Sequence, residues 1–238
     1  MDARAATGAL FIAAALLASA ACGGGTGSGK VESERIAVSP FSRLDVENTF
    51  DVTVSIGQKA AVVVRVDDAH RDALDVGVTG GTLHVGLEPG TSVGDATLEA
   101  DVTVPALSRI DVSGASKVHL ADQAAADALE LVVSGASGLD GPVEISEGRL
   151  DVSGASHASL EGSAVRLDLS VSGASSVRGI AFTAQTLTAS LSGASSVELT
   201  VTDSLSAEAS GASSLRYKGS PQITRQKVSG LSSITQIV

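Results

Sequence analysis

The chain is 238 residues long, 43% apolar but only 2% aromatic, and carries a formal net charge of −11. That length suits one large domain or two small ones, and its interior must be built from Val, Leu, Ile and Ala, which fit stacked β layers. The acidic balance excludes nucleic acid and anionic lipid headgroups as the main partner, because both demand clustered Lys and Arg.

Residues 1–22 open with Arg4 and the α-amino group, then run apolar from Gly8 to Ala21. A membrane-spanning helix needs about 20 apolar residues, so this run is too short to span well. It has the length and flanks of an export signal. The junction Ala20-Ala21-Cys22 resembles the lipobox of bacterial lipoproteins, where the signal is cut just before a cysteine that carries lipid. Ser19 stands where that pattern usually has Leu, and Asp2 is unusual in a basic leader. Cys22 is the only cysteine and cannot form an internal disulfide. Residues 1–22 are therefore read as a lipoprotein signal peptide and Cys22 as the lipidated residue. Residues 23–35 follow as a Gly/Ser-rich linker, GGGTGSGK at its start, that would act as a tether. Each buried methylene of an acyl chain adds about 0.8 kcal/mol of membrane affinity, so several chains would hold the protein firmly. The expected location is the cell envelope, periplasmic or surface-exposed, with the membrane as a partner through the lipid anchor.

Residues 36–105 read as an irregular β region. Leu44-Asp45-Val46 and Phe50 to Ile56 alternate apolar with polar, Gly57-Gln58 marks a turn, and Ala61 to Val66 forms a third strand. Asp67 to Ala73 is a polar connection with room for one helical turn. Gly80-Gly81 separates Val76-Gly77-Val78 from Thr82 to Leu87, and a strand at Ala100 to Val104 ends at Pro105.

Residues 106–238 carry a repeat. The tetrapeptide SGAS begins at Ser113, Ser134, Ser153, Ser172, Ser192 and Ser210, and a degenerate SGLS begins at Ser229. The spacing of about twenty is a solenoid signature. The residue before each copy is Val112, Val133, Val152, Val171, Leu191, Ala209 or Val228, and the residue five after its first serine is Val118, Leu139, Ala158, Val177, Val197, Leu215 or Ile234. A third apolar column, three before the serine, runs from Ile110 to Ala207 and breaks at Gln226. One coil cannot bury its own apolar face, so stacked neighbours must. Helical repeats are usually longer, about 33–47 residues, and Gly and Ser inside every unit would weaken a helix. The fold class is all-β: a single-stranded parallel β-helix, expected to be right-handed. Seven coils at about 4.8 Å each give a rod of about 30 Å.

The repeat residues Ser113, Gly114, Ser134, Gly135, Ser153, Gly154, Ser172, Gly173, Ser192, Gly193, Ser210, Gly211, Ser229 and Gly230 are structural candidates. Glycine permits backbone geometry that a Cβ hinders, and the serines can hydrogen-bond to local backbone or to adjacent coils. Strict alternation from Val152 would send Gly154 and Ser156 inward, whereas a corner at SGAS would reset the parity; the corner is favoured.

Three stretches together resemble the head GIN family, whose description as an autotransporter-adhesin head is itself an inference. They are Phe41 to Val46 with Phe50 to Val54 and Gly57, then Gly81 to Val85, then Val104-Pro105-Ala106-Leu107-Ser108-Arg109-Ile110-Asp111-Val112-Ser113-Gly114-Ala115 leading into the coils. The likeness covers about residues 36–238. It implies an exported bacterial β-helical domain, often on a lipoprotein, and no catalytic residues to carry over.

Candidate chemistry is sparse. Among the repeats, Gly135-Ala136-Ser137-Gly138-Leu139 does not match the G-x-S-x-G nucleophile elbow, and no SGAS offers a His at a regular offset. His70, His84, His119 and His157 form no H-x-x-x-H or Cys/His cluster, so no metal site or cofactor is expected. Asp111 and Asp151 precede the corners, with Asp168 and Glu208 near similar places; a scattered outward acidic column is usually a solvated face that resists edge pairing. The mature chain offers only Phe41, Phe50, Phe182 and Tyr217 as aromatics, so no sugar-stacking platform is evident. Two functions stay open. One is a non-enzymatic adhesion, interaction or structural module with a protein or glycan partner. The other is an envelope polysaccharide-active lyase or hydrolase, which three or more acidic or basic side chains converging in one groove would favour.

Overall fold

The computed structural model describes residues 30–94 and 96–238. The signal peptide 1–22, the lipidation candidate Cys22 and the linker's residues 23–29 lie outside the described residues.

The SGAS tetrapeptides fall in the breaks between strands. β8 (Arg109–Val112) and β9 (Lys117–Leu120) flank the first copy. The later copies separate β10 (Ala124–Val133), β11 (Gly138–Val152), β12 (His157–Val171), β13 (Ser176–Leu191), β14 (Ser196–Ala209) and β15 (Ser214–Lys218). SGLS separates β16 (Gln222–Val228) from β17 (Ser233–Gln236). Every pairing among these strands is parallel, one coil on the next. The result is a parallel β-helix.

The register places the apolar columns on one another. Val133 pairs with Val152, Val152 with Val171, Val171 with Leu191, and Leu191 with Ala209. Leu139, Ala158, Val177, Val197 and Leu215 stack the same way. All of these side chains are buried. Coil lengths vary, and the excess is absorbed away from the corner, as register shifts between Ser159 and Gly162, Gly179 and Thr183, and Ala184 and Thr186. Such bulges take up an inserted residue while the ladders on either side continue. The corners therefore stay aligned although their spacing is uneven.

SGAS is a corner, and it is asymmetric. From the third copy to the fifth, Ser-Gly-Ala turns outward and the last serine turns in. Gly173 has φ +76° and its alanine is exposed, whereas Ser175 is buried. Ser116, Ser137, Ser156, Ser175, Ser195 and Ser213 thus form an interior ladder of hydroxyls. The amides of Ala155, Ala174, Ala194 and Ala212 donate to the glycine carbonyl one coil below, each at 2.8 Å. A Cβ on Gly173 would stand 2.3 Å from Gly154 O, so glycine is required for space as well as for φ.

The N-terminal region continues the same stack. β2 (Arg43–Val46) lies parallel between β8 and β6 (Thr82–Leu87), while β3 (Asp51–Ile56) lies parallel between β9 and β7 (Leu98–Val104). Residues 47–50 form the corner of this coil, where Asn48 and Thr49 take positive φ. The remaining strands run antiparallel and close the end. β4 (Ala61–Asp67) pairs with β7, β5 (Leu74–Thr79) with β6, and a 3-10 turn spans Asp68–Ala73. β1 (Val31–Ile36) pairs antiparallel with β4. This corrects the expected linker, which was drawn to residue 35. The segment VESERI holds its place through backbone ladder bonds and the Arg71 ion pairs to Glu32 and Glu34, which composition does not reveal. Its charges also suit an outermost strand, since they discourage further pairing. One core runs from Phe41 to Tyr217 without a break at residue 105.

Candidate functional site

Residues that alternate with the buried column before each corner form an outward face. The motif Arg-x-Asp occurs at one fixed offset before a corner three times, as Arg43-Leu44-Asp45, Arg109-Ile110-Asp111 and Arg149-Leu150-Asp151. The register puts Arg43 beside Arg109 and Asp45 beside Asp111. Like charges opposite one another destabilise a sheet, so the charges must be matched otherwise. In two copies the match is made along the strand. Arg109 donates to Asp111 through Nε (2.6 Å) and Nη2 (2.7 Å), and Arg149 donates to Asp151 at 2.8 Å. Glu130, on the strand between them, pairs with Arg109 and lies 3.8 Å from Arg149. Hydrogen bonding to Asp111 makes Arg109 hold its proton more firmly than a free guanidinium; partial burial opposes this and Glu130 adds to it.

The first copy departs from this pattern. Arg43 donates to the carbonyl of Gly80 instead of to Asp45. Asp45 turns to His84, whose Nδ1 lies 3.1 Å from its Oδ2. Parallel pairing of β2 with β6 brings them together, for Asp45 is the register partner of His84. Glu47 completes a group in which the carboxylates of Asp45 and Glu47 and an imidazole nitrogen of His84 lie within 4.8 Å of one another, all half-buried. Beside it a cavity of about 350 Å³ opens, lined chiefly by Arg43, Asp45, Arg109, Asp111, Ser113 and Ser134.

Short-range ligand spacing does not reveal this group, because Asp45 and His84 are 39 residues apart. The signal that could have found it was the alignment of Arg43-Leu44-Asp45-Val46 with Thr82-Leu83-His84-Val85 as neighbouring strands.

The other candidates are dispersed. Asp168 is exposed and Glu208 pairs with Arg225. His119 pairs with Asp140, His70 Nε2 lies 3.0 Å from the Ser92 carbonyl, and exposed His157 packs over Gly138. Phe41, Phe50, Phe182 and Tyr217 are all buried, so none offers a stacking face for a sugar ring. Ser113 and Ser134 line the cavity, while the remaining corner serines and glycines repeat the turn described above. Cys22 lies outside the described residues. No helix among the described residues is long and apolar enough to cross a membrane.

A stacked β-solenoid with a short antiparallel cap and a charged outer column defines the class. Residues 40–221 match the family described as "putative auto-transporter adhesin, head GIN domain", and the chain belongs to that family. Its fold is similar to three crystal structures of proteins named putative adhesins. One, from Bacteroides fragilis, has 23% identity and a TM-score of 0.83, over 88% of this chain and 98% of that one. Those from Parabacteroides merdae (17% identity) and Parabacteroides distasonis (18%) each have a TM-score of 0.75, over 89% of this chain and 98% of theirs. No curated protein sequence matches the chain.

Proposed function

We propose that this is an exported, lipid-anchored envelope protein whose solenoid serves as a non-enzymatic adhesion or interaction module. The family description supports the adhesive role. The observation that carries the non-enzymatic part is the matching of charges on the outer column. Asp111, Asp151 and Glu130 are each engaged by an arginine, so none of the three stands free to act on a substrate. The Ala20-Ala21-Cys22 junction supports export and anchoring, with Cys22 as the lipidated residue and the Gly-rich stretch as its tether.

Metabolic labelling with a palmitate analogue tests the anchor. The wild type should be labelled and Cys22→Ala should not; equal labelling of both would sink the lipoprotein reading. A pull-down from envelope material should recover a surface protein or glycan.

A second reading has one observation in its favour. Arg43, Asp45, Arg109 and Asp111 converge on a single cavity, as a polysaccharide-active enzyme would need. A glycan-cleavage screen distinguishes the two: cleavage abolished by Asp45→Asn would establish the enzyme, and no cleavage across polysaccharide classes would remove it.

A further inference from the structure

We propose that Asp45, Glu47 and His84 form a binding site for one divalent transition metal ion, of the zinc class. The donor set is two carboxylates and an imidazole, a combination that zinc accepts with three protein ligands and an open fourth position. The spacing is near that of a filled site. Adjacent ligands in a zinc tetrahedron stand about 3.3 Å apart, and His84 Nδ1 is 3.1 Å from Asp45 Oδ2. Glu47 offers a carboxylate oxygen within 4.8 Å of a donor atom on each of the other two, so a side-chain movement of up to about 1.5 Å completes the set.

Three further features agree. A metal-bound histidine usually turns its second ring nitrogen to a carboxylate, which fixes the ring and raises its basicity. Asp75 on β5 is placed for that, with its Oδ2 3.8 Å from His84 Nε2. Gly86 leaves room for the ring, since a Cβ there would stand 3.0 Å from His84 Nε2. The charge balance is the third. In the two copies at the same offset the arginine pairs with its own aspartate, but Arg43 donates to Gly80 and among the described residues no Arg or Lys pairs with Asp45 or Glu47. Three carboxylates, Asp45, Glu47 and Asp75, surround one imidazole. A dication supplies the missing charge.

The site would tie β2 to β6, and so the first coil to the strand beside the antiparallel cap. Asp45 also borders the cavity, so an oxygen donor held there would be near the ion's open position.

The test is a titration of zinc, and of cobalt as a spectroscopic probe, into the detergent-solubilised full chain after chelator treatment. All samples carry Cys22→Ala so that the thiol does not compete. One ion per chain should bind at micromolar concentration or tighter, raise the melting temperature, and give the intense visible absorption of tetrahedral cobalt. His84→Ala and the near-isosteric Glu47→Gln should each weaken binding at least 100-fold with an unchanged circular dichroism spectrum. Asp75→Asn should weaken it about 10-fold, as loss of an outer partner does. The proposal is overturned if no ion binds below millimolar concentration, or if affinity is unchanged in both Glu47→Gln and His84→Ala.

Discussion

Replacing the corner glycines one at a time separates two causes of their presence. Gly135 and Gly173 both have φ +76°. A residue with a Cβ loses roughly 1–2 kcal/mol in that conformation. At Gly135 the crowding is milder, because the nearest atom its Cβ would meet is Gly114 N, at 3.2 Å. At Gly173 the Cβ would stand 2.3 Å from Gly154 O, the oxygen that accepts Ala174 N at 2.8 Å. Moving that carbonyl aside sacrifices a hydrogen bond worth about 1 kcal/mol. Gly135→Ala should therefore cost about 1–2 kcal/mol and Gly173→Ala about 2–3 kcal/mol. For a domain of this size 1 kcal/mol shifts the melting temperature by about 2–4 °C, so thermal melts followed by circular dichroism resolve the two. Asparagine sharpens the comparison, since it tolerates left-handed φ but still carries a Cβ. Gly135→Asn should recover most of the loss and Gly173→Asn should not. A Gly173→Asn protein that melts with the wild type would show that conformation alone selects glycine, and the close-approach argument would fail.

Val171→Asp puts a carboxylate into a column between Val152 and Leu191, at a position only 1% exposed. It forfeits the burial of a valine and desolvates an unpaired charge, so a loss of more than about 4 kcal/mol and of the cooperative melt is expected; an unchanged melt would contradict the inward assignment. The serine ladder should be uneven. Ser137 Oγ is buried without a partner among the described residues, so Ser137→Ala should be neutral within about 0.5 kcal/mol or stabilising, by denaturant unfolding. Ser213 Oγ donates to Ser210 O at 2.7 Å, so Ser213→Ala should cost about 1 kcal/mol, and the reverse order would refute the assignment.

The arrangement of coils was legible because stacking repeats one chemical requirement. Val152, Val171 and Leu191 occupy the same offset from a corner and meet the same neighbours, so the apolar column is printed in the sequence at each turn. What periodicity could not decide was the parity at the corner. Gly154 and Ser156 share a parity with Val152, yet Gly154 turns out while Ser156 turns in, because the bend at φ +78° breaks the alternation. The interior hydroxyl ladder was hidden by that break. β1 was hidden for another reason. VESERI carries charges on half of its positions and is a strand only because the backbone of β4 offers it a free edge.

By itself the sequence determined the elements whose neighbours are copies of themselves, namely the coil, its period and its corner glycines, and alternation marked the strands of the first region. Only the tertiary structure decided what meets across unlike segments. It placed β2 between β6 and β8, which joins Asp45 and Glu47 to His84 and turns Arg43 away toward Gly80. It also closed one end of the stack with antiparallel strands. The physical reason is the range of the interaction. A repeated coil writes its partner's requirements into its own residues, whereas the contact between Asp45 and His84 depends on chain closure across 39 residues and leaves no local period.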